Sequence, residues 1–451
     1  MMKNCIKKII IIGIIILFIG TSVISATNLN IKNDEKFGIE RPFFTETFFP
    51  YKTNNKIDFI FKIGQSVQQT SDNGYIVTGY MTEFDIDQLI INSTTILMKY
   101  DENGNKKWSK NFELTGDNEG FSVKQIGEEG YIIGGLIVLS DKTKAMILRT
   151  DEQGNEEWMK TYEGLGKAQG TAIQQTNDNG YILTGSSVYP DNDEISHMLL
   201  LKTDENGNEQ WNKTYEFDNS TIGNSVEQTD DGGYIICGFL ISSNQQSSSI
   251  LVVKTDVNGN EQWHKTYEFM DNNRAYSIQQ TNDHGYIIGG HTSSSLGLNS
   301  NALLLKTDEN GNEQWHKSYN EKSGFHAQQT EDNGFILCGI SNSINSHQAL
   351  LIKTDEQGTQ EWTRTYKGLG AAQGTMVQQT ADKGYILTGS TIKTSVSIDN
   401  YVLLIKTNEN GKLIWSSSRN RYIFENAFIS NFLMKALNNF PILQRILNMV
   451  K

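Results

Sequence analysis

The sequence predicts an all-β fold: a seven-bladed β-propeller of four-stranded antiparallel blades, followed by a short C-terminal helical tail. Three observations carry this. A unit of about fifty residues recurs along the chain, a period that belongs to propellers and related arrays. All seven tryptophans mark it: Trp108, Trp158, Trp211, Trp263, Trp315, Trp362 and Trp415, at intervals of 50, 53, 52, 52, 47 and 53 residues. A second series, Tyr75, Tyr131, Tyr181, Tyr234, Tyr286, Phe335 and Tyr385, each directly after a glycine, gives the same count.

Within one unit, four short β-prone runs alternate with turn signals, as a four-stranded blade requires. Run A is Thr171–Thr176, and the turn Asn177-Asp-Asn-Gly180 leads into run B, Tyr181–Gly185. Asp and Gly at such positions are hairpin chemistry. Run C, Met198–Lys202, is apolar on successive residues, which suits a strand covered on both faces by neighbouring blades. After the turn Asp204-Glu-Asn-Gly207 comes run D, where period-two alternation puts Trp211, Lys213 and Tyr215 on one face. The opposite face is polar, as an outer edge should be. For ring closure two readings stand: Ile57–Phe61 adds a strand, or Leu413–Trp415 already completes the last blade.

The ends differ from the body. Lys3, Lys7 and Lys8 precede an apolar stretch from Ile9 to Ile19 and then small residues through Ala26, the three-part layout of a signal peptide. An uncleaved membrane anchor is the alternative. The expected organisation is residues 1–26 signal peptide, 27–56 linker, 57–418 propeller and 419–451 tail, with a secreted or cell-surface address. In the tail, Phe428, Phe432, Leu437, Phe440, Leu443, Leu447 and Val450 recur at helical spacing beside Lys435, Arg445 and Lys451. Such a helix packs on the propeller or lies on a membrane surface.

Removing residues 1–26 takes away three of the 39 basic side chains and none of the 52 acidic ones. That balance excludes nucleic acid as an expected partner, because phosphate binding needs a concentrated basic face. Cys237 and Cys338 occupy strand positions where sister units carry Thr or Gly, so they read as small strand residues rather than a redox pair. Two units of sequence separate them, which argues against a disulfide.

The segment Leu201-Lys-Thr-Asp-Glu-Asn-Gly-Asn-Glu-Gln-Trp211 and its six sisters resemble the strand–turn–tryptophan repeat of PQQ-type quinoprotein propellers, and more closely the repeats of uncharacterised exported bacterial and archaeal propeller proteins. The resemblance spans roughly residues 57–418 and implies a fold rather than a function. Quinoprotein dehydrogenases would imply a quinone, calcium and an axial catalytic aspartate. Here there is no adjacent cysteine pair, the units number seven rather than eight, and no acidic residue stands out from its repeat equivalents. A fainter resemblance is to the Asp-box of sialidase-type propellers, as Thr-x-Asp-x-Gly at Thr176–Gly180 and Thr281–Gly285. Thr70, Thr229, Thr330 and Thr380 begin the same pattern, while the second unit departs with Ile126-Gly-Glu-Glu-Gly130. In that motif the aspartate serves the turn.

No residue constellation identifies an enzyme: there is no nucleophile elbow, phosphate loop or zinc-protease motif, and the seven histidines lack ligand or triad spacing. His264 and His316 replace Asn212 of a sister unit and read as surface strand positions. Loops such as Asp256-Val-Asn-Gly-Asn260 partly match calcium loops, but a calcium site needs about six or more oxygen ligands, so hairpin turns are the simpler reading. No catalytic, cofactor-binding or metal-ligating residue is assigned, and no cofactor is expected.

One pattern points to a binding surface. The A–B and C–D turns are uniform, whereas the B–C and D–A loops on the other face differ in length and composition, as at Tyr80–Ser93, Ser186–Ser196, Leu240–Ser248 and His291–Asn301. Unequal loops on a rigid scaffold form recognition surfaces, although loops also drift when nothing restrains them. Tyr80, Phe84, Tyr189 and His291 are the ring-bearing candidates. The expected function is noncatalytic recognition of an extracellular protein or glycan through that face. The alternative is a hydrolase or lyase acting on an extracellular polymer at the ring axis.

Overall fold

The computed structural model describes residues 51–53, 56–85, 90–139, 142–162, 166–188, 195–243, 245–294, 300–343, 346–366, 371–392 and 401–417. The expected signal segment, most of the linker and the C-terminal tail lie outside these residues. Among the described residues there are strands and no helix. Each repeat unit folds into four antiparallel strands in chain order. The units starting at Thr221 and Asn272 join into one eight-stranded sheet through a single parallel pair, Ser248 with Asn272. The first unit gains a fifth strand, Tyr51–Thr53, on its inner edge.

The innermost strands are Lys56–Gln69, Asn118–Ile126, Lys167–Gln175, Thr221–Gln228, Asn272–Gln280, Lys322–Gln329 and Ala371–Gln379. Each lies against the next, and the last lies against the first, as a propeller requires. Ile57–Phe61 is therefore not an added outer strand. It is the first part of the innermost strand of the first sheet, and Leu413–Ser416 is the outer strand of the last. The first and last sheets meet directly: the Thr375 hydroxyl donates to the Gly64 carbonyl at 2.7 Å, and the Gln69 amide donates to Gln378 Oε1 at 2.7 Å.

Successive apolar residues in the third strands explain the core. Met198, Leu199, Leu200 and Leu201 are all fully buried. They divide between two clusters, with Leu199 and Leu201 facing the preceding sheet and Met198 and Leu200 facing the next. The packed interior thus lies between sheets, and no sheet would be stable alone.

The outer strands lock neighbouring sheets together. Every tryptophan lies over the glycine in the C–D turn of the following sheet, from Trp108 on Gly154 to Trp362 on Gly411, and Trp415 of the last sheet covers Gly104 of the first. These glycines have φ between +69° and +80°. The position needs glycine twice over: L residues rarely adopt that backbone, and a Cβ on Gly259 would stand 2.6 Å from the Trp211 ring. Each indole also meets the ring after the next A–B turn, as in Trp211 to Tyr234 at 5.9 Å and Trp415 to Tyr75 at 5.7 Å. Four residues on from the tryptophan, the Tyr215 hydroxyl donates to the Gly259 carbonyl at 2.9 Å, and Tyr162, Tyr267, Tyr319 and Tyr366 repeat the bond. Lys110 and Lys160 reach the Asn beyond the same turn at 2.9 and 2.6 Å.

Within each sheet a second device ties the inner hairpin to the third strand. Asp178 Oδ1 accepts from the Thr176 hydroxyl and the Gly180 amide, while Lys202, with its side chain only 4% exposed, donates to Asp178 Oδ2 at 2.8 Å. Burial alone would raise the Asp178 carboxyl, but Lys202 and Thr176 hold it below the usual carboxylate range. The departure at Ile126–Gly130 is compensated: Glu129 replaces the aspartate and Arg149 replaces the lysine, paired at 3.0 Å. Asp256 is likewise occupied by its own turn, accepting from the Asn258 and Asn260 amides at 2.9 and 2.8 Å.

The packing of Trp211 on Gly259 should appear as a coupling energy. Trp211→Ala should destabilise the chain by roughly 3 kcal/mol, and Gly259→Ala by about 2 kcal/mol or more from backbone strain plus the clash. In the Trp211→Ala background the clash disappears, so the Gly259→Ala effect should fall to about 1 kcal/mol. Urea unfolding of the four proteins checks this, and simple additivity would contradict the packing described.

Candidate functional site

A sheet edge exposes unpaired N–H and C=O groups, and here the innermost edges form the wall of a central channel. Side chains from the preceding sheet satisfy them. Gln68 Oε1 accepts from the Gln125 amide, Gln174 from Gln228, Gln279 from Gln329, Gln328 from Gln379 and Gln378 from Gln69, all at 2.7–2.8 Å. One residue nearer the A–B turns, a second level runs the opposite way: Gln125 accepts from the Ser71 amide, Gln228 from Asn177 and Gln69 from Ala381, at 2.8–2.9 Å. On the other side of the Gln68 level, Ser66, Ser225 and Ser277 accept from the next inner strand at 3.2, 3.3 and 2.8 Å.

Three charged or titratable residues interrupt these levels. Lys124 and Glu227 stand at the Gln68 level, and His326 stands at the Ser66 level. All three are half-buried. Glu227 Oε2 still accepts from the Gln280 amide at 2.5 Å, but burial pushes its carboxyl up to about 7, against the lowering effect of that bond and of Lys124. Lys124 has no acceptor atom to offer the next strand, and burial lowers its ammonium, with Glu227 opposing. His326 Nδ1 is buried without a hydrogen-bond partner, and burial followed by the Lys124 charge brings the imidazole down to about 3.

Closer to the B–C and D–A connections lies an aromatic group. Tyr276 stacks on His291 with ring centres 5.5 Å apart and meets Phe325 at 5.6 Å. Arg274 lies over the Phe239 ring at 4.7 Å. Burial, then Arg274, lowers His291 to about 4, and its Nδ1 is buried without a partner. Tyr80 is buried edge-on against Phe121 at 6.0 Å.

Of the residues singled out in the sequence, Tyr80 and His291 lie in strands Tyr75–Asp85 and Tyr286–Ser293 rather than in loops, because pairing continues past the glycine of each unit. Phe84 is in the same strand as Tyr80, in register with Phe59 and Ile91. The stretch Tyr80–Ser93 is thus largely a hairpin. Tyr189 lies outside the described residues. Tyr80 and His291 do not come together; each gathers a partner, Phe121 or Tyr276, that sequence reading passed over. The reading that no acidic residue stands out from its equivalents is corrected by Glu227, whose counterparts are glutamine or lysine. Cys237 and Cys338 are free and fully buried, with thiols raised far above their ordinary range by burial. Among the described residues, no three His, Cys, Asp or Glu side chains converge as a metal ligand set.

No protein-family model and no curated protein matches the chain. Solved structures of similar shape do exist. A puromycin hydrolase mutant complexed with PGG has a TM-score of 0.52 at 9% identity, covering 81% of this chain and 54% of that one. A second puromycin hydrolase structure gives 0.50 at 8% identity, covering 78% and 54%. A polysaccharide lyase, ulvan lyase, gives 0.46 at 9% identity, covering 79% and 96%. The chain spans about half the length of the puromycin hydrolase chains, and at these identities the similarity shows a propeller-type fold alone.

Glu227 makes a pH-dependent stability expected. Its folded pKa lies above that of an unfolded glutamate, so its favourable contribution is complete below about pH 4.5 and is lost as pH rises towards 7. Glu227→Gln keeps the acceptor for Gln280 and removes the titration. It should stabilise the chain at pH 8 by roughly 1–3 kcal/mol and leave stability at pH 4 nearly unchanged. Unfolding at the two pH values checks this, and an equal effect at both would contradict the assignment.

Proposed function

We propose that this chain is an exported, seven-bladed propeller that acts as a noncatalytic recognition module. Its partner is a glycan held over the aromatic group on the B–C and D–A side of the channel. The observation that supports this is the stack of Tyr276 on His291 beside Phe325. At the Tyr276 position Phe121 and Phe325 also carry rings while Gln65, Thr171, Asn224 and Thr375 do not, and at the His291 position Tyr80 and Phe239 carry rings while Leu136, Ser186, Ile340 and Ser390 do not. The neighbouring Tyr276, His291 and Phe325 rings of the fifth and sixth units offer flat apolar faces to the C–H face of a sugar, and the His291 ring adds a polar contact at its edge. Segment 1–26 would export the chain. The tail at 419–451 would hold it against the propeller or a membrane surface.

A hydrolase or lyase at the axis is the second reading, and Glu227 favours it. A carboxyl with a pKa near 7 is the form a general acid needs at neutral pH.

Glycan-array binding of the purified chain tests the first reading. Tyr276→Ala should weaken binding roughly tenfold, while Glu227→Gln should leave it unchanged. Release of polymer fragments that is lost in Glu227→Gln would establish the second reading instead. Binding of proteins but no glycan would overturn the choice of partner.

A further inference from the structure

We infer that the channel at the level of Lys124, Glu227 and His326 is a binding site for a small carboxylate that also carries a hydrogen-bond donor, a hydroxy acid or an amino acid. This site is separate from the glycan face and does not depend on it. These three residues carry a cost. At the Gln68 level every other sheet presents glutamine, which accepts the next strand's amide. Lys124 forfeits that bridge, and its ammonium has no hydrogen bond or ion pair among the described residues. An unpaired ammonium inside a protein wall is unfavourable unless an acceptor meets it. His326 stands at a level where Ser66, Ser225 and Ser277 bridge but Ala172 and Met376 do not, and its Nδ1 is buried without a partner. A buried unpartnered ring nitrogen and an ammonium without a protein partner, in adjacent levels of one channel, both offer contacts to a ligand atom.

The chemistry of the three residues then selects the ligand. They come from the second, fourth and sixth repeat units, so they approach the axis from three sides. Lys124 supplies donors for a carboxylate. Glu227 keeps Oε1 free while Oε2 takes the Gln280 amide, so it accepts from a ligand hydroxyl or ammonium. His326 presents one neutral ring nitrogen. Lys124 and Glu227 interact through their charges without forming an ion pair, so each keeps hydrogen-bonding capacity for a molecule complementary to both. None of the three side chains belongs to the fully buried core.

The test is equilibrium binding by calorimetry of the purified chain with lactate, serine, acetate and methylammonium. Lactate or serine should bind with a dissociation constant in the millimolar range or below, tighter than acetate, and methylammonium should not bind. Which of the two binds separates hydroxy acid from amino acid. Lys124→Gln restores the missing bridge to Gln175, so it should fold at least as stably and weaken binding roughly tenfold or more, with Lys124→Arg recovering part of the affinity. Glu227→Gln should reduce the preference for lactate or serine over acetate. Absence of binding by every carboxylate, or affinity unchanged in Lys124→Gln, would overturn the inference. Glycan binding should survive Lys124→Gln, so failure of one site is distinguishable from failure of the other.

Discussion

The contact on which the architecture depends is an indole laid over a glycine of the next sheet. A tryptophan brings a large rigid surface to a point where the neighbouring backbone has a positive φ and no side chain, so the two sheets fit in one relative placement. Third strands such as Met198–Leu201, buried on both faces, make each sheet need a neighbour on either side. The indole, the tyrosine four residues later and the lysine between them determine how that neighbour sits. Because Trp415 covers Gly104 as the other tryptophans cover their glycines, the first sheet serves as the last sheet's neighbour.

Closure creates a second constraint. A ring of sheets leaves its innermost strands as edges facing a channel, and each edge must have its amides and carbonyls satisfied. Glutamine and serine side chains reaching forward by one sheet, with a second glutamine level reaching back, do this. The same rule exposes the exceptions: Lys124 and His326 lack the bridge that glutamine and serine counterparts make, and Glu227 makes it with a carboxyl that burial raises. Local departures without structural gain are where function is expected.

Much of the fold was legible in the sequence because its signals are periodic. Seven tryptophans, seven glycine–aromatic turns and the apolar third strands each repeat, and all of them map onto strands and turns at the expected places. The Thr-x-Asp-x-Gly turns were also legible, and at the Ile126–Gly130 departure Arg149 matches Glu129. Closure was not legible, because strand Lys56–Gln69 runs on without a break where sequence alone allowed an extra strand at Ile57–Phe61. The channel residues were overlooked although their signal was present: aligning Gln68 with Lys124, Gln174, Glu227, Gln279, Gln328 and Gln378 isolates two of them. Period-two reasoning assigns such side chains to a face of the sheet and says nothing of the edge. For the same reason His326, facing the channel, could not be told from the exposed His264 and His316.

The proposed recognition at the aromatic face and the inferred binding in the channel both presuppose a closed ring. Spin labels on cysteines introduced at Asn103 and Ile414, both exposed, report on closure directly, and the native Cys237 and Cys338 are too deeply buried to be labelled. If Trp415 seats on Gly104, the distance distribution between the labels is a single narrow peak at short range. A broad or long-range distribution would mean that the first and last sheets do not meet, and the channel with its lysine, glutamate and histidine would not exist as described.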